Sequence, residues 1–547
     1  MGRVRSGTRC VSLGALALVA AIAACGSKSV GQGSDGSAGA GGGGRAGAAG
    51  PAGADGGGMS GGGTGAPTTG GVGGATGGVA GQGGAPSATG GAGGSAGGAA
   101  GQGGATSAGG AGGASTGGAG GAAGAGGAPD LGPTGPDGFA VKVELASDIK
   151  ATAPTTVGIV WWSLAHSGLT EAHIDFGLDT TYGMTAPVDL TRPSYRTVLV
   201  GMKPAKQYHF RIVATAGSAT YPSDDRTLTT GAPVGIALLN SFDVMAPGRV
   251  DKGFLVTSYW NLGSNGASTW TSFILDTDGD VVWWYTDPGD NPHGELGIGR
   301  ARLSADSQDV WLARVSNSGA PLRRISIDGL EEQTYTGAVA SHDIAAVSGE
   351  TMAYLDYGEK DCTSIFEIDK TGVTKEVFES TGVTTTDRTR CHGNSVRYSM
   401  KEDVYVFSDD LLDVFVLGRD GTVQWKLGDR VSGGNASWGG HQHGTQLLDN
   451  SLLIFANEAG GDATKSQAIE FGLDGSVLRK FTSRGGTDFM GDVQRLPSGN
   501  TLITYPSGPI QEVDANDAVV LEIRGTNLFG YVEFRQSLYG LPLDIQE

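Results

Sequence analysis

The chain has little cysteine, little positive charge and no long apolar run. Four cysteines stand among 547 residues, and two of them, Cys10 and Cys25, lie at the extreme N-terminus. Lys and Arg number 37 against 56 Asp and Glu, a formal net charge of −19. That balance excludes a nucleic-acid or anionic-membrane partner recognised through a basic face. The apolar run from Val11 to Ala24 covers only about 14 residues, too short to span a bilayer as a stable helix. No stretch reads as an amphipathic helix. Histidine is scarce as well, with eight in the chain. Glycine is the exception: nearly half of its 99 copies fall between Gly31 and Gly132, so whole-chain averages describe neither that stretch nor the rest.

Residues 1–24 read as an address. Arg3, Arg5 and Arg9 precede the apolar run, which ends Ile22-Ala23-Ala24-Cys25. Small residues before a cysteine resemble a bacterial lipobox, which implies cleavage before Cys25 and its lipidation; a simple signal peptide cut nearby is the alternative. Gly26, rather than Asp, follows the cysteine, which favours the outer membrane where there are two. The expected location is therefore an exported lipoprotein on the periplasmic or cell-surface face. In that oxidising setting Cys362 and Cys391 are a candidate disulfide.

Residues 25–135 are Gly/Ala/Ser/Thr low complexity with almost no aromatics. Such a segment buries too little apolar surface to offset its ordering entropy, and is expected to be a disordered tether. A chain of ~100 such residues reaches roughly 50–60 Å.

Residues 138–231 alternate in short runs at Phe139–Leu145, Val157–Trp162, His173–Phe176 and Arg196–Val200, separated by Gly, Pro or Asp. This pattern predicts a small β-sandwich. Pro204 four residues before Tyr208, leading into His209-Phe210-Arg211-Ile212, resembles the tyrosine corner of fibronectin type III domains. Trp161 or Trp162 is the expected core tryptophan. His166, His173 and His209 read as surface or satisfied residues.

From residue 235 to 547 the chain repeats. An Asp-Gly turn followed by a strand occurs at Asp278-Gly279, Asp420-Gly421 and Asp474-Gly475, with weaker copies at Asp328-Gly329, Thr371-Gly372 and Asn516-Asp517. Six units of about 40–50 residues, each with about four short strands, predict a six-bladed β-propeller. The fold class expected for the whole chain is thus all-β: a disordered tether, a sandwich and a propeller.

Successive repeats open on Ser341-His342-Asp343, Cys391-His392-Gly393-Asn394 and Gln442-His443-Gly444. Equivalent positions in a propeller lie on a ring, so His342, His392 and His443 are expected to converge on the mouth of the central channel. His293 and His441 fall outside this register and read as structural. Three imidazoles fit either a His₃ metal site or nucleophilic catalysis by one histidine assisted by the others. Spacing alone leaves both open, and no HExxH motif is present.

The ordered set His342-Asp343-Ile344, His392-x-Asn394-Ser395-Val396, Trp425-x-Leu427-Gly428, Gln442-His443 and Ser498-Gly499-Asn500-Thr501-Leu502-Ile503 resembles the bacterial arylsulfate sulfotransferase family. The resemblance covers residues 235–547. It implies an exported six-bladed propeller that moves a sulfuryl group from a phenolic sulfate donor to a phenolic acceptor, with no cofactor and no metal. It further implies His443 as the nucleophile that becomes a transient sulfohistidine. His392 and His342 would stabilise the sulfuryl oxygens or handle the phenol proton, and Asn394 would orient the set. Asp410 stands where the family carries an arginine, and Ser466-Gln467 replaces a later Ser-Arg. Either Arg300, Arg390 or Arg397 supplies the missing charge from another blade, or the substrate differs, or sulfate transfer is lost; Trp438 and Tyr505 could stack on a phenol or fill the core. A non-catalytic surface propeller that binds a glycan or protein, and a metal-dependent hydrolase, are the competing expectations.

Overall fold

The structure, a computed structural model, describes residues 129–540 apart from 234–238, 262–268, 288–294, 317, 358–361, 381–390, 411, 463, 488 and 526–527. The signal segment, Cys25, nearly all of the tether, His293 and Arg390 lie outside the described residues. The described part is all-β, built of antiparallel sheets. No described helix is long and apolar enough to cross a membrane.

Two sheets form the N-terminal part. Phe139–Leu145, Gly158–Leu164 and Thr197–Leu199 make one, and Glu171–Gly177, Gly183–Pro187, Gln207–Ala216, Ala219–Pro222 and Arg226–Thr229 make the other. Alternation buries one face of each. Phe139, Val160 and Trp162 meet Ile174, Phe176, Phe210 and Ile212 in a shared core. The Tyr208 hydroxyl accepts the Lys203 amide at 2.7 Å, which pins the corner before its strand. Trp162 is the core tryptophan, whereas Trp161 faces outward under the cations of Lys142 and Arg196. His166, His173 and His209 lie at the surface or half-buried beside Tyr221, Asp175 and Asp225.

This part is not a free-standing module. Ala146, Val157, Ile159 and Val200 pack in one cluster with Val256, Trp283 and Ile327 of the following region. Lys203 reaches Asp276, Asp278 and Asp280 together, at 2.8–3.0 Å.

The repeat turns are closely alike. In each, an amide three residues on closes back to a carbonyl: Gly279 to Asp276, Gly329 to Ser326, Gly372 to Asp369, Gly421 to Gly418, Gly475 to Gly472 and Asp517 to Asp514. All six closing residues have positive φ, which five meet with glycine and the last with Asp517 at φ 64°.

The strands that open successive sheets are cross-linked in a closed circuit. Tyr531 N–H donates to Gly299 O (2.8 Å), and Arg300 pairs with Asp343. Val396 N–H donates to Asp343 Oδ2, and Ser395 Oγ donates to His443 O. Gly444 N–H donates to Gly491 O, and Phe534 N–H donates to Gln494 Oε1. The first sheet takes its inner strand from the C-terminal end, because Glu533–Arg535 pairs with Phe254–Asn261. Leu239–Val244, the first strand of the region, is the outer edge of the last sheet beside Val519–Gly525.

One element departs from the expected repeat. The 17-residue strand Glu332–Ser348 ends one four-stranded unit and begins the next, joining them in a seven-stranded sheet. The chain turns within it at His342, whose φ is 62°, and its register on Thr351–Asp356 shifts between Ala340 and Ile344.

Candidate functional site

Three histidines meet at the start of the inner strands. The His342 and His392 ring centroids lie 4.9 Å apart, edge to face, and those of His342 and His443 lie 6.5 Å apart. Similar backbone devices aim them. Register shifts break the inner-strand ladders between Ile298 and Arg300, Ala340 and Ile344, Gly393 and Ser395, and Gln442 and Thr445. An extra residue at the head of a strand turns its side chain out of the ladder. His342 holds a left-handed backbone that is costly for a non-glycine residue, of order 1–3 kcal/mol. Tyr357 stacks flat on its ring at 5.2 Å, and Ser341 bonds its Nδ1 at 2.9 Å.

Hydrogen bonds assign the tautomers. Asn457 donates its amide hydrogens to Thr487 O (3.0 Å) and Met490 O (2.8 Å), so its Oδ1 faces His443 Nδ1 as an acceptor at 2.7 Å. His443 therefore carries its proton on Nδ1 and a lone pair on Nε2. Ser341 Oγ donates to Ser316 O (2.8 Å) and accepts Ser316 N–H (3.0 Å), which leaves it a second lone pair for His342 Nδ1–H. His342 thus also presents Nε2 as a lone pair.

Burial keeps all three imidazoles neutral near pH 7. It drives His342 well below 6.5, helped by the neighbouring His392 and His443. It lowers His392, with Asp410 opposing. It lowers His443 to about 4, against the opposing effects of Asp410 and the Asn457 bond.

Asn394 makes no hydrogen bond to a histidine ring among the described residues. Its Nδ2 donates to Gln442 O at 2.9 Å and lies 3.4 Å from Asp410 Oδ1, so it positions the backbone just before His443. Asp410 is buried at the site, and its Oδ2 has no hydrogen-bond partner among the described residues. Its Oδ1 lies 2.8 Å from Nδ1 of His441. His441, outside the expected register, therefore stands beside the cluster, because the turn at Gly440-His441 (φ 76° and 49°) folds it back onto Asp410.

Two of the arginines expected to supply the missing charge, Arg300 and Arg397, are otherwise engaged. Arg300 is fully buried against Asp343 and Asp492, and Arg397 also pairs with Asp492. Trp438 and Tyr505 are core residues packed on Phe471 and Phe455. Ser466 Oγ lies within hydrogen-bond distance of Asn457 O (3.0 Å) and Thr487 O (2.9 Å), behind the residue that holds His443.

A disulfide joins Cys362 to Cys391, with Cα atoms 5.2 Å apart. It fastens the residue before His392, while Thr363 Oγ1 accepts the Gly393 amide at 2.9 Å. Tyr357 and Tyr531, absent from the sequence reading, complete the walls. Tyr357 meets both His342 and His392, and Tyr531 lies 6.5 Å from His443 with its hydroxyl on Asn394 O (2.8 Å). Among the described residues, no group of three or more His, Cys, Asp or Glu side chains is arranged to hold a metal ion. A cavity of about 610 Å³ opens at the other ends of the inner strands, by Arg397, Gln446 and Arg495, away from the histidines.

No family model matches the chain, and no curated protein matches it. Among solved structures it is similar to the crystal structure of TolB from Acinetobacter baumannii, at 10% identity and a TM-score of 0.38, over 61% of this chain and 79% of that one.

Proposed function

We propose that residues 235–547 form a six-bladed β-propeller whose channel mouth transfers a sulfuryl group from a phenolic sulfate ester to a phenolic acceptor. The observation that carries this reading is the hydrogen bond from His443 to Asn457. It leaves Nε2 as a free lone pair on a neutral imidazole, beside two further imidazoles. The closed circuit of inner strands and the six like turns support the propeller.

In the proposed reaction His443 Nε2 attacks the ester sulfur. The N–S bond forms as the S–O(aryl) bond breaks, and phenoxide leaves with the electron pair. The acceptor phenol then gives its proton to a base, for which His342 Nε2 is the candidate. Its oxygen attacks sulfur, and the N–S bond breaks with the pair returning to His443. Two similar displacements predict ping-pong kinetics. His392 would donate to the sulfuryl oxygens. His441, whose Nδ1 lies 2.8 Å from Asp410 Oδ1, would occupy the carboxylate that otherwise repels a sulfate. The N-terminal segment supports an exported lipoprotein anchored through Cys25, with residues 25–135 as its tether.

Incubation with an aryl sulfate and a phenol acceptor tests the reading. Sulfated acceptor and a His443 peptide heavier by one sulfuryl group are expected; absence of both sinks it. Asp410 favours a second reading, a propeller that binds a glycan or protein without chemistry. That reading requires His443→Ala to keep full ligand binding.

A further inference from the structure

Arg302 is the least explained charge in the molecule. It lies on Gly297–Leu303, one pleat beyond Arg300, and is 2% exposed. Arg300 reaches Asp343 through Nε (2.6 Å) and Asp492 through Nη1 (2.8 Å), on two other inner strands, so its face of the strand looks at the axis of the circuit. Residues two apart share a face, so Arg302 looks the same way. Ala301 and Leu303 turn outward into the core.

The Nε and Nη2 atoms of Arg302 are buried without a hydrogen-bond partner, and no ion pair to it occurs among the described residues. The charges that act on it are Arg300 and Arg397, of its own sign, and Glu533 and Asp343. Those carboxylates have other work. Asp343 is taken by Arg300, and Glu533 Oε1 lies 3.5 Å from Arg535 Nη1. Asp492 is shared by Arg300 and Arg397. Of the four buried arginines here (Arg300, Arg302, Arg397, Arg535), Arg302 is the one that forms no ion pair with a described residue. A guanidinium cannot shed its proton, and a buried charge without a partner is strongly unfavourable. The positive charge left without a carboxylate of its own is that of Arg302. Arg397 lines the 610 Å³ cavity and also acts on Arg302, so that cavity offers an approach from the end remote from the histidines.

We infer that the centre of the circuit is a binding site for a small inorganic monoanion of the chloride class, held by Arg302 and entered from the cavity beside Arg397. The anion is structural: it completes the charge balance of the strands that carry the histidines. The inference stands whether or not the histidine site transfers sulfuryl groups.

Thermal unfolding of the purified full chain tests this, with gluconate replaced by chloride or bromide at constant ionic strength. Wild type is expected to gain about 2–4 °C in Tm, saturably. Arg302→Met is expected to lose that dependence and, without halide, to melt above wild type, because it removes an unpaired buried charge. Arg302→Lys, which keeps the charge, should retain a weaker saturable response if the Met variant does not fold. Crystals soaked in bromide should show anomalous density at the Arg302 guanidinium. A wild-type Tm indifferent to halide, an unchanged response in both variants, or a water at that place would overturn the inference.

Discussion

The side-chain oxygen of Asn457 accepts the Nδ1 proton of His443 at 2.7 Å, and both Asn457 amide hydrogens are bound elsewhere. The asparagine therefore cannot flip to offer a donor without breaking two buried bonds. His443→Ala should lower aryl sulfate turnover by about a thousandfold or more, since it removes the bond-forming atom. Asn457→Leu should cost roughly 10–100-fold in kcat with KM little changed, because the imidazole remains but its tautomer is no longer held. Steady-state kinetics on both variants check this, and an Asn457→Leu enzyme as fast as wild type would refute it.

The pH dependence follows from the depressed His443 value. Its folded pKa is about 4 against an ordinary 6.5. A neutral imidazole in the fold resists protonation, so its stabilising effect is complete above 6.5 and is lost as pH falls through about 4. Turnover should hold down to about pH 5 and fall below it, rather than halving near 6.5. An NMR titration of the His443 imidazole reads the group directly, and a midpoint near 6.5 would contradict the burial argument.

Asp410 acts on the same groups with the opposite sign. Its carboxylate raises both His392 and His443 against the effect of burial. Asp410→Asn should therefore move both titrations lower still. It should also improve the KM for an aryl sulfate by about 3–10-fold, by removing a charge of the donor's own sign from the proposed site. A poorer KM would mean that the pair with His441 serves the donor as built.

Reduction of Cys362–Cys391 opens a closure of 29 residues. In the chain-entropy account the loss is about 3–4 kcal/mol. Turnover should fall before global unfolding, since Cys391 adjoins His392. Tm and activity measured together on Cys362→Ser/Cys391→Ser separate these effects.

A fifth expectation concerns Glu512, remote from the histidines. Burial raises its carboxyl from 4.5 to about 7, with Asn500 and the Asp251 amide opposing. A raised acid stabilises the fold when protonated, so stability should decline as pH rises from 4.5 through about 7. Glu512→Gln should flatten that part of the profile, as followed by Tm at a series of pH values.

What the sequence made legible was short-range and periodic. Asp-Gly turns declare themselves because left-handed φ demands glycine; the faint sixth copy is the one where Asp517 takes that conformation instead. The histidines were legible because His342, His392 and His443 recur at 50 and 51 residues. Their partners were not. Asn457 belongs to the end of the strand after His443, and Tyr531 meets Asn394 across 137 residues. Neither follows the period. Arg300 and Arg397 looked available to a sulfate only because the acids that engage them come from other repeats. The strand Glu332–Ser348 hid a boundary, since one continuous ladder crosses from one unit to the next.

The clasp between Glu533–Arg535 and Phe254–Asn261 joins the two ends of a region about 280 residues apart. No shorter piece of the chain can complete the circuit that gathers the histidines. During synthesis the first sheet must wait without its inner strand until the last strand emerges. The circuit is closed by the arrival of a segment that also brings Tyr531 to the wall of the site. Loss of the final dozen described residues would therefore silence the histidines from a distance, with every imidazole still present in the chain.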